Sequence, residues 1–311
     1  MARADFTFTN PVYAAVVPPA TILTRSERKS AWYSWRDNRR VSLLPDAPPA
    51  RGIMTSDGLR LATYEFGDDD RPAIVAVHGF ASSGLMNWQQ TGWTRDLLRA
   101  GFRVIAIDQR GHGASDKPEN PSQYSMEQLV DDLLAVLDGY LLDEVALVGY
   151  SLGARVSWHA ALELPTRVTR AVLGGIPGGD PLTRFRLDEA RRFIADGTAV
   201  DDRLTDTYLS MAAGIPGNDL SALVALVEGM RGGLQPDPAA PPQQPLLFAT
   251  GSDDPILAAS RALAAAVPHG EFFEIPARNH FTAPTSRPFR DRAVEFLAGT
   301  EVLAGSQHGP S

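Results

Sequence analysis

The sequence predicts an α/β fold: a mainly parallel sheet of eight strands flanked by helices, with one inserted helical segment. Three observations predict it. Short apolar runs alternate with segments of helical period. The alternation lapses between residues 177 and 244 and then resumes. The apolar run 145–148 ends in Gly149-Tyr150-Ser151-Leu152-Gly153, directly before a helical pattern over 154–164. Apolar strands separated by helices imply a sheet buried on both faces.

The elements follow in order. Residues 53–55 and 59–66 read as a hairpin around Ser56-Asp57-Gly58, where Asp-Gly suits a tight turn. Strands are expected at 73–77, 103–108, 145–149 and 168–173, and helices at 87–100, 125–139 and 152–163. Ser125 followed by Gln128 has the spacing of a capping box. Helical periodicity then continues without strands at 187–195, 204–211 and 220–230, and leaves through the proline-rich stretch 236–245. Strand 246–250, helix 256–267, strand 271–275 and helix 287–298 complete the alternation. The expected organisation is an N-terminal arm (1–50), a core in two pieces (51–176 and 245–300), a helical cap (177–244) and a disordered tail (301–311).

With 311 residues, of which 44% are hydrophobic, the chain has enough material for a sizeable core. A formal charge of −8 argues against a nucleic-acid partner. The absence of cysteine excludes disulfides, a thiol nucleophile and thiolate metal sites. The apolar stretch 12–23 is short and broken by Pro18-Pro19, so neither a secretory signal nor an integral membrane segment is expected, and the default location is the cytoplasm. Within the arm, Arg25, Arg28, Lys29, Arg36, Arg39 and Arg40 interleave with Trp32, Tyr33 and Trp35. That basic, aromatic stretch is expected to dock on the acidic body or to join a homo-oligomer, with a solvated extension and interfacial membrane binding as the alternatives.

The chemistry centres on Ser151. A serine hydroxyl is a weak nucleophile and needs exposure, a nearby base and nearby N–H donors. A G-x-S-x-G turn between strand and helix supplies the exposure. Three other strand ends carry the partners: His78-Gly79-Phe80 after 73–77, Gly251-Ser252-Asp253-Asp254-Pro255 after 246–249, and Arg278-Asn279-His280-Phe281 after 271–275. The chain order is Ser, Asp, His. No set of histidines and carboxylates has metal-ligand spacing, so neither a metal nor another cofactor is expected.

These segments, with Asp108-Gln109-Arg110-Gly111-His112-Gly113-Ala114-Ser115, resemble the α/β-hydrolase fold family over about residues 52–299. The resemblance implies Ser151 as nucleophile, His280 as base and Asp254 as the acid that orients it, with the backbone N–H groups of Phe80 and Leu152 as the oxyanion hole. Similar proteins keep the acid three residues after the glycine ending the seventh strand, which selects Asp254. Asp253 and, more remotely, Asp180 stay open as alternatives, Asp253 also as a helix cap. One departure stands out: Arg278 occupies a position where similar proteins often have glycine. His78, Asp108, Arg110 and His112 read as structural.

The candidate substrate pocket is apolar: Trp88, Tyr150, Phe185, Phe193, Tyr208, Met211 and Phe281. It implies a small apolar ester, lactone or thioester, cleaved without cofactor by a carboxylesterase- or lactonase-like serine hydrolase through an acyl-enzyme. Epoxide hydrolases and haloalkane dehalogenases of this fold use a carboxylate where this chain has Ser151. A C–C bond hydrolase or a haloperoxidase-like perhydrolase would use the same triad. A slow-turnover small-molecule receptor on this fold is the non-enzymatic alternative.

Overall fold

The computed structural model describes residues 47–299. The expectations for most of the arm, including its basic aromatic stretch, and for the tail therefore lie outside the described residues. Eight strands form one sheet: β1 (Arg51–Met54), β2 (Arg60–Phe66), β3 (Ala73–Val77), β4 (Arg103–Asp108), β5 (Val145–Tyr150), β6 (Val168–Gly174), β7 (Leu246–Gly251) and β8 (Gly270–Ile275). Their spatial order is β1-β2-β4-β3-β5-β6-β7-β8. β2 runs antiparallel to both β1 and β4, and every pair from β4 to β8 is parallel.

The period of two along the strands sends alternate side chains into two separate cores. On one face Val75, Val77, Ile105, Ile107 and Leu147 pack under α2 (Met126–Gly139), α3 (Leu152–Glu163) and α7 (Leu257–Ala266). On the other, Ile74, Ala76, Val104, Ala106 and Val148 pack under α1 (Trp93–Arg99) and α8 (Arg287–Ala298). Burial of both faces explains why the central strands read as unbroken apolar runs rather than as an alternation.

Local chemistry sets the element ends. Thr55 leaves β1 because its hydroxyl and amide close the hairpin turn onto Asp57 and Leu59, and Gly58 takes the left-handed conformation that the turn needs (φ 86°). The single helix expected over 87–100 is instead a wide helical turn, Leu85–Gln89, followed by α1. Gly92, with φ 86°, breaks the two apart. Ser125 caps α2 by accepting from the Gln128 amide at 3.2 Å. Only that half of the capping box forms, because the Gln128 side chain turns back to the Ser122 carbonyl.

Between β6 and β7 the chain makes a helical excursion: α4 (Leu187–Asp196), α5 (Arg203–Ala213) and α6 (Leu220–Gly229). Asp202 and Asp219 cap α5 and α6 through their carboxylates. α6 bridges two environments. Ala225 and Leu226 join the main core, while Val224 and Val227 pack with Phe185, Ala190 and Leu209 of the excursion. Asn218 ties the excursion to the loop after β3, its amide donating to the Ala81 carbonyl at 2.9 Å and the Ala212 carbonyl at 3.2 Å.

The topology decides where a ligand can enter. From β3 the chain moves outward to β4, then crosses back over β3 to β5. Loops leaving the carboxyl ends of β3 and β5 therefore diverge and leave a crevice at that switch point. The loop after β3 carries Phe80, and the turn after β5 carries Ser151.

Candidate active site

Ser151 sits at the apex between β5 and α3 in a conformation rare for a residue with a side chain, φ 54° and ψ −111°. Its amide is anchored on the Gly174 carbonyl at 2.8 Å. The flanking glycines make the turn possible. A Cβ on Gly149 would lie 2.4 Å from the Gly153 carbonyl oxygen, and one on Gly153 would lie 2.0 Å from that of Val77. Helix α3 thus starts pressed directly against β3.

From Ser151 a hydrogen-bonded line runs inward. His280 Nε2 lies 2.9 Å from Ser151 Oγ, and His280 Nδ1 lies 2.8 Å from Asp254 Oδ2. An ionised carboxylate only accepts, so Nδ1 carries the proton and Nε2 is left to accept from the serine hydroxyl. The Asp254 side chain is 1% exposed, so its charge is held away from water beside its single ring partner. Asp254 Oδ1 accepts from the Ile256 amide at 3.1 Å, which fixes the carboxylate plane. Asp253 points to solvent, takes a hydrogen bond from Ser252 and caps no helix. The Asp253 amide instead donates to the Arg278 carbonyl at 3.0 Å.

That bond explains the departure at Arg278. The histidine loop packs on the acid loop through the Arg278 backbone, and a Cβ on Gly251 would lie 2.0 Å from the same carbonyl oxygen. The left-handed residue of this loop is Ala277 (φ 53°), so position 278 itself does not require glycine. Asn279 accepts from the Phe281 and Thr282 amides, and the Tyr150 hydroxyl donates to the His280 carbonyl. The ring of His280 is therefore positioned from both sides.

The loop after β3 has engaged amides at Gly79, Ala81 and Ser82, which donate to Asn87 Oδ1, His112 Nε2 and the Gly79 carbonyl. The Phe80 amide donates to none of the described residues, and the Leu152 amide opens α3 without an intrahelical partner. Both residues line the cleft. Two buried histidines hold this loop. His78 Nε2 accepts from the Gln109 amide and its Nδ1–H donates to the Gly79 carbonyl. His112 Nε2 accepts from Ala81 while its Nδ1–H donates to the Arg110 carbonyl. Burial holds both pKa values below the ordinary histidine range, and His78 lowers His112 further. Two neutral rings, each with a fixed tautomer, thus shape the loop.

The cleft opens to solvent. Of the apolar pocket residues expected from sequence, Tyr150, Tyr208, Met211 and Phe281 line it, together with Phe80 and Leu152. Tyr208 stacks edge-on between Phe80 (5.9 Å) and Phe281 (6.1 Å). Burial pushes the Tyr208 hydroxyl up to about 12, so it stays a neutral donor. Three expected residues do not line the cleft. Trp88 is 1% exposed and packs edge-on against Trp93 beneath the sheet. Phe185 and Phe193 fill the apolar core between α4, α5 and α6. Their helical spacing serves packing within the excursion.

Two residues contribute polarity that sequence reading missed or misassigned. Arg155, one turn along α3 from Ser151, lines the cleft, and so does Asp180 after β6. Asp180 lies 3.7 Å from Arg155 and makes no hydrogen bond to His280. Among the described residues no group of three or more His, Cys, Asp or Glu could hold a metal ion. No helix among them is long and apolar enough to cross a membrane.

Residues 72–199 match the α/β hydrolase fold family. The chain has the α/β-hydrolase fold. Its sheet order, strand–serine–helix turn and excursion after β6 agree with that assignment. A putative 2-succinyl-6-hydroxy-2,4-cyclohexadiene-1-carboxylate synthase of Bacillus subtilis is 38% identical over 122 residues, 39% of this chain and 42% of the relative. Epoxide hydrolase A of Mycobacterium tuberculosis is 29% identical over 213 residues, 62% and 65% of the two chains. The chain thus spans less than two thirds of these curated relatives. Among solved structures, an enol-lactonase from Burkholderia xenovorans superposes with a TM-score of 0.66 at 22% identity, covering 81% of this chain and all of the other. These similar proteins are thus named for different reactions: a synthase, an epoxide hydrolase and an enol-lactonase.

Proposed function

We propose that the protein is a cofactor-free serine hydrolase that cleaves an apolar carboxylic ester or lactone through an acyl-enzyme. The observation that carries this reading is the unbroken line Ser151–His280–Asp254, facing two uncommitted backbone amides across one cleft. His280 Nε2 takes the hydroxyl proton as Ser151 Oγ attacks the carbonyl carbon. The Phe80 and Leu152 N–H groups receive the developing oxyanion, helped by the positive end of α3. The imidazolium, held by Asp254, returns its proton to the departing alkoxide. Water then repeats the sequence on the acyl-enzyme and releases the acid. In a lactone the alkoxide stays attached to the acyl group, so ring opening gives one hydroxy acid. We read α4–α6 as a cap whose Tyr208 and Met211, with Leu182 before α4 and Phe281 opposite, supply apolar walls for the acyl chain.

An epoxide-hydrolase reading is disfavoured because the resemblance puts a carboxylate nucleophile where Ser151 stands. The test uses a fluorophosphonate probe and an aryl ester panel of increasing acyl length. The protein should label stoichiometrically and turn over many esters per molecule. Ser151→Ala should fold normally, lose labelling, and lose kcat by roughly 10⁶-fold, the loss seen when a serine nucleophile is removed. Ester turnover surviving in that variant well above background would refute the triad, and turnover that stops near one event per molecule would favour a receptor.

A further inference from the structure

The cleft described as apolar contains one buried ion pair that the triad does not use. The side chains of Arg155 and Asp180 are each 5% exposed. Their separation, 3.7 Å between Arg155 Nη1 and Asp180 Oδ1, is too long for a hydrogen bond. Arg155 Nη2 donates to Gln235 Oε1 at 3.0 Å and reaches the Leu234 carbonyl at 3.4 Å. Nη1 makes no hydrogen bond among the described residues, and Nε is buried without a partner. Asp180 Oδ1 accepts from the Leu182 amide at 2.9 Å, whereas Oδ2 is buried and unpartnered. A guanidinium and a carboxylate, both nine-tenths buried and both short of partners, therefore share one wall of the cleft. Buried polar groups left unmatched are costly, and a ligand that matches them recovers that cost.

We propose that Arg155 and Asp180 form a polar subsite that binds a neutral hydrogen-bonding group of the substrate, an amide or a hydroxyl, about one helical turn from the reacting carbonyl. The proposal rests on the reading of Ser151 as nucleophile. The Arg155 amide bonds to the Ser151 carbonyl at 3.1 Å, so the two residues stand on the same face of α3, one turn apart. A group held at Arg155 therefore lies beside the nucleophile and not at the cleft mouth. Charge selects its type. Arg155 alone would invite a carboxylate, but Asp180 already balances it, and a second anion would sit against a buried like charge. A plain alkyl group would leave both members unpaired. A group that accepts from Nη1 and donates toward the carboxylate satisfies both. The substrate implied is an ester or lactone whose acyl part carries an amide or hydroxyl partway along an apolar chain, with Tyr208, Met211 and Phe281 taking the rest.

The test is selectivity, measured on aryl esters in a graded series of chain lengths. Each length carries an internal amide, the isosteric alkyl group or a terminal carboxylate. At the best length the native protein should favour the amide over the alkyl chain by about 10- to 100-fold in kcat/KM, the ratio expected for a hydrogen bond to a charged group. It should reject the carboxylate. Arg155→Met should bring the amide-to-alkyl ratio toward unity, and Asp180→Asn should raise the carboxylate relative to the amide by about tenfold or more. If Arg155→Met does not fold, Arg155→Lys, which removes the guanidinium fork, should still lower the ratio. A native ratio near unity at every length would overturn the proposal. So would an Arg155 variant that lowers both substrates equally, as a purely structural residue would. If no ester is turned over, the hydrolase reading fails while the subsite stays testable. Binding of the corresponding methyl ketones by calorimetry should then show the same ratios, and equal affinities would refute the subsite.

Discussion

Acid should weaken this fold through His159, by an amount that can be worked out from its environment. His159 lies on α3 one turn beyond Arg155 and is 4% exposed, with Nε2 lacking a partner. Burial, and then the neighbouring Arg155 charge, lower its pKa from 6.5 to about 4. The folded value lies below the unfolded one, so as pH falls the unfolded chain takes up the proton first. The contribution of the neutral ring is whole above about pH 6.5 and drains away as pH falls toward 4. Between about pH 7.5 and pH 5 the loss amounts to about 2 kcal/mol, because about 1.4 kcal/mol accompanies each pH unit inside the window. His78 and His112 are shifted the same way and steepen the same slope. Comparison with His159→Leu isolates the one site. The variant removes the titration while keeping an apolar side chain in the gap. Urea unfolding of both proteins at a series of pH values should give curves that diverge by about 2 kcal/mol at pH 5, the native protein falling faster. Parallel curves would refute the reasoning and would mean that the imidazole is reached by water in the folded state.

Two further outcomes follow from the site. Asp254→Asn should lower kcat by about 10⁴-fold, since an amide no longer fixes the tautomer of His280, whereas exposed Asp253→Asn should change it little; the reverse order would reassign the acid. Gly153→Ala pushes a methyl to 2.0 Å from the Val77 carbonyl, a contact that neither backbone can relieve. It should cost about 3 kcal/mol or more, read as a Tm drop of several degrees, and an unchanged Tm would show that α3 does not press on β3 as described.

What the sequence disclosed divides along physical lines. Strand positions and the strand–serine–helix turn were legible because both faces of the sheet are buried, which leaves long apolar runs, and because the turn needs glycines at fixed offsets from Ser151. Parallel strands bring their carboxyl ends to one edge, which is why Ser151, Asp254 and His280 meet, whereas the choice of Asp254 over Asp253 came from the family resemblance. Apolar residues within helices were less legible. Periodicity says that Phe185, Phe193 and Trp88 are buried but not which neighbour buries them, and the structure gives them to packing.

The least legible feature was Arg155. In sequence it stands within Gly153-Ala154-Arg155-Val156-Ser157, where a charge one turn from Ser151 could equally face solvent. Its partner lies in a loop 25 residues further on, which the strand pattern marked only as a remote choice of acid. The two meet because β6 lies beside β5, so the loop leaving β6 passes over the first turn of α3. In the proposed reading their meeting changes what the cleft recognises. In that reading Ser151, His280 and Asp254 set which bond is cleaved, and they stand at strand ends that the topology aligns. The Arg155–Asp180 wall lies one helical turn away, on a loop and a helix face that can vary without disturbing that alignment. As proposed, selectivity and bond cleavage then sit on separable parts of the structure. A substitution at Asp180 should accordingly move the preference among acyl chains more than it moves fluorophosphonate labelling of Ser151, and equal losses in both would show that the two parts are coupled.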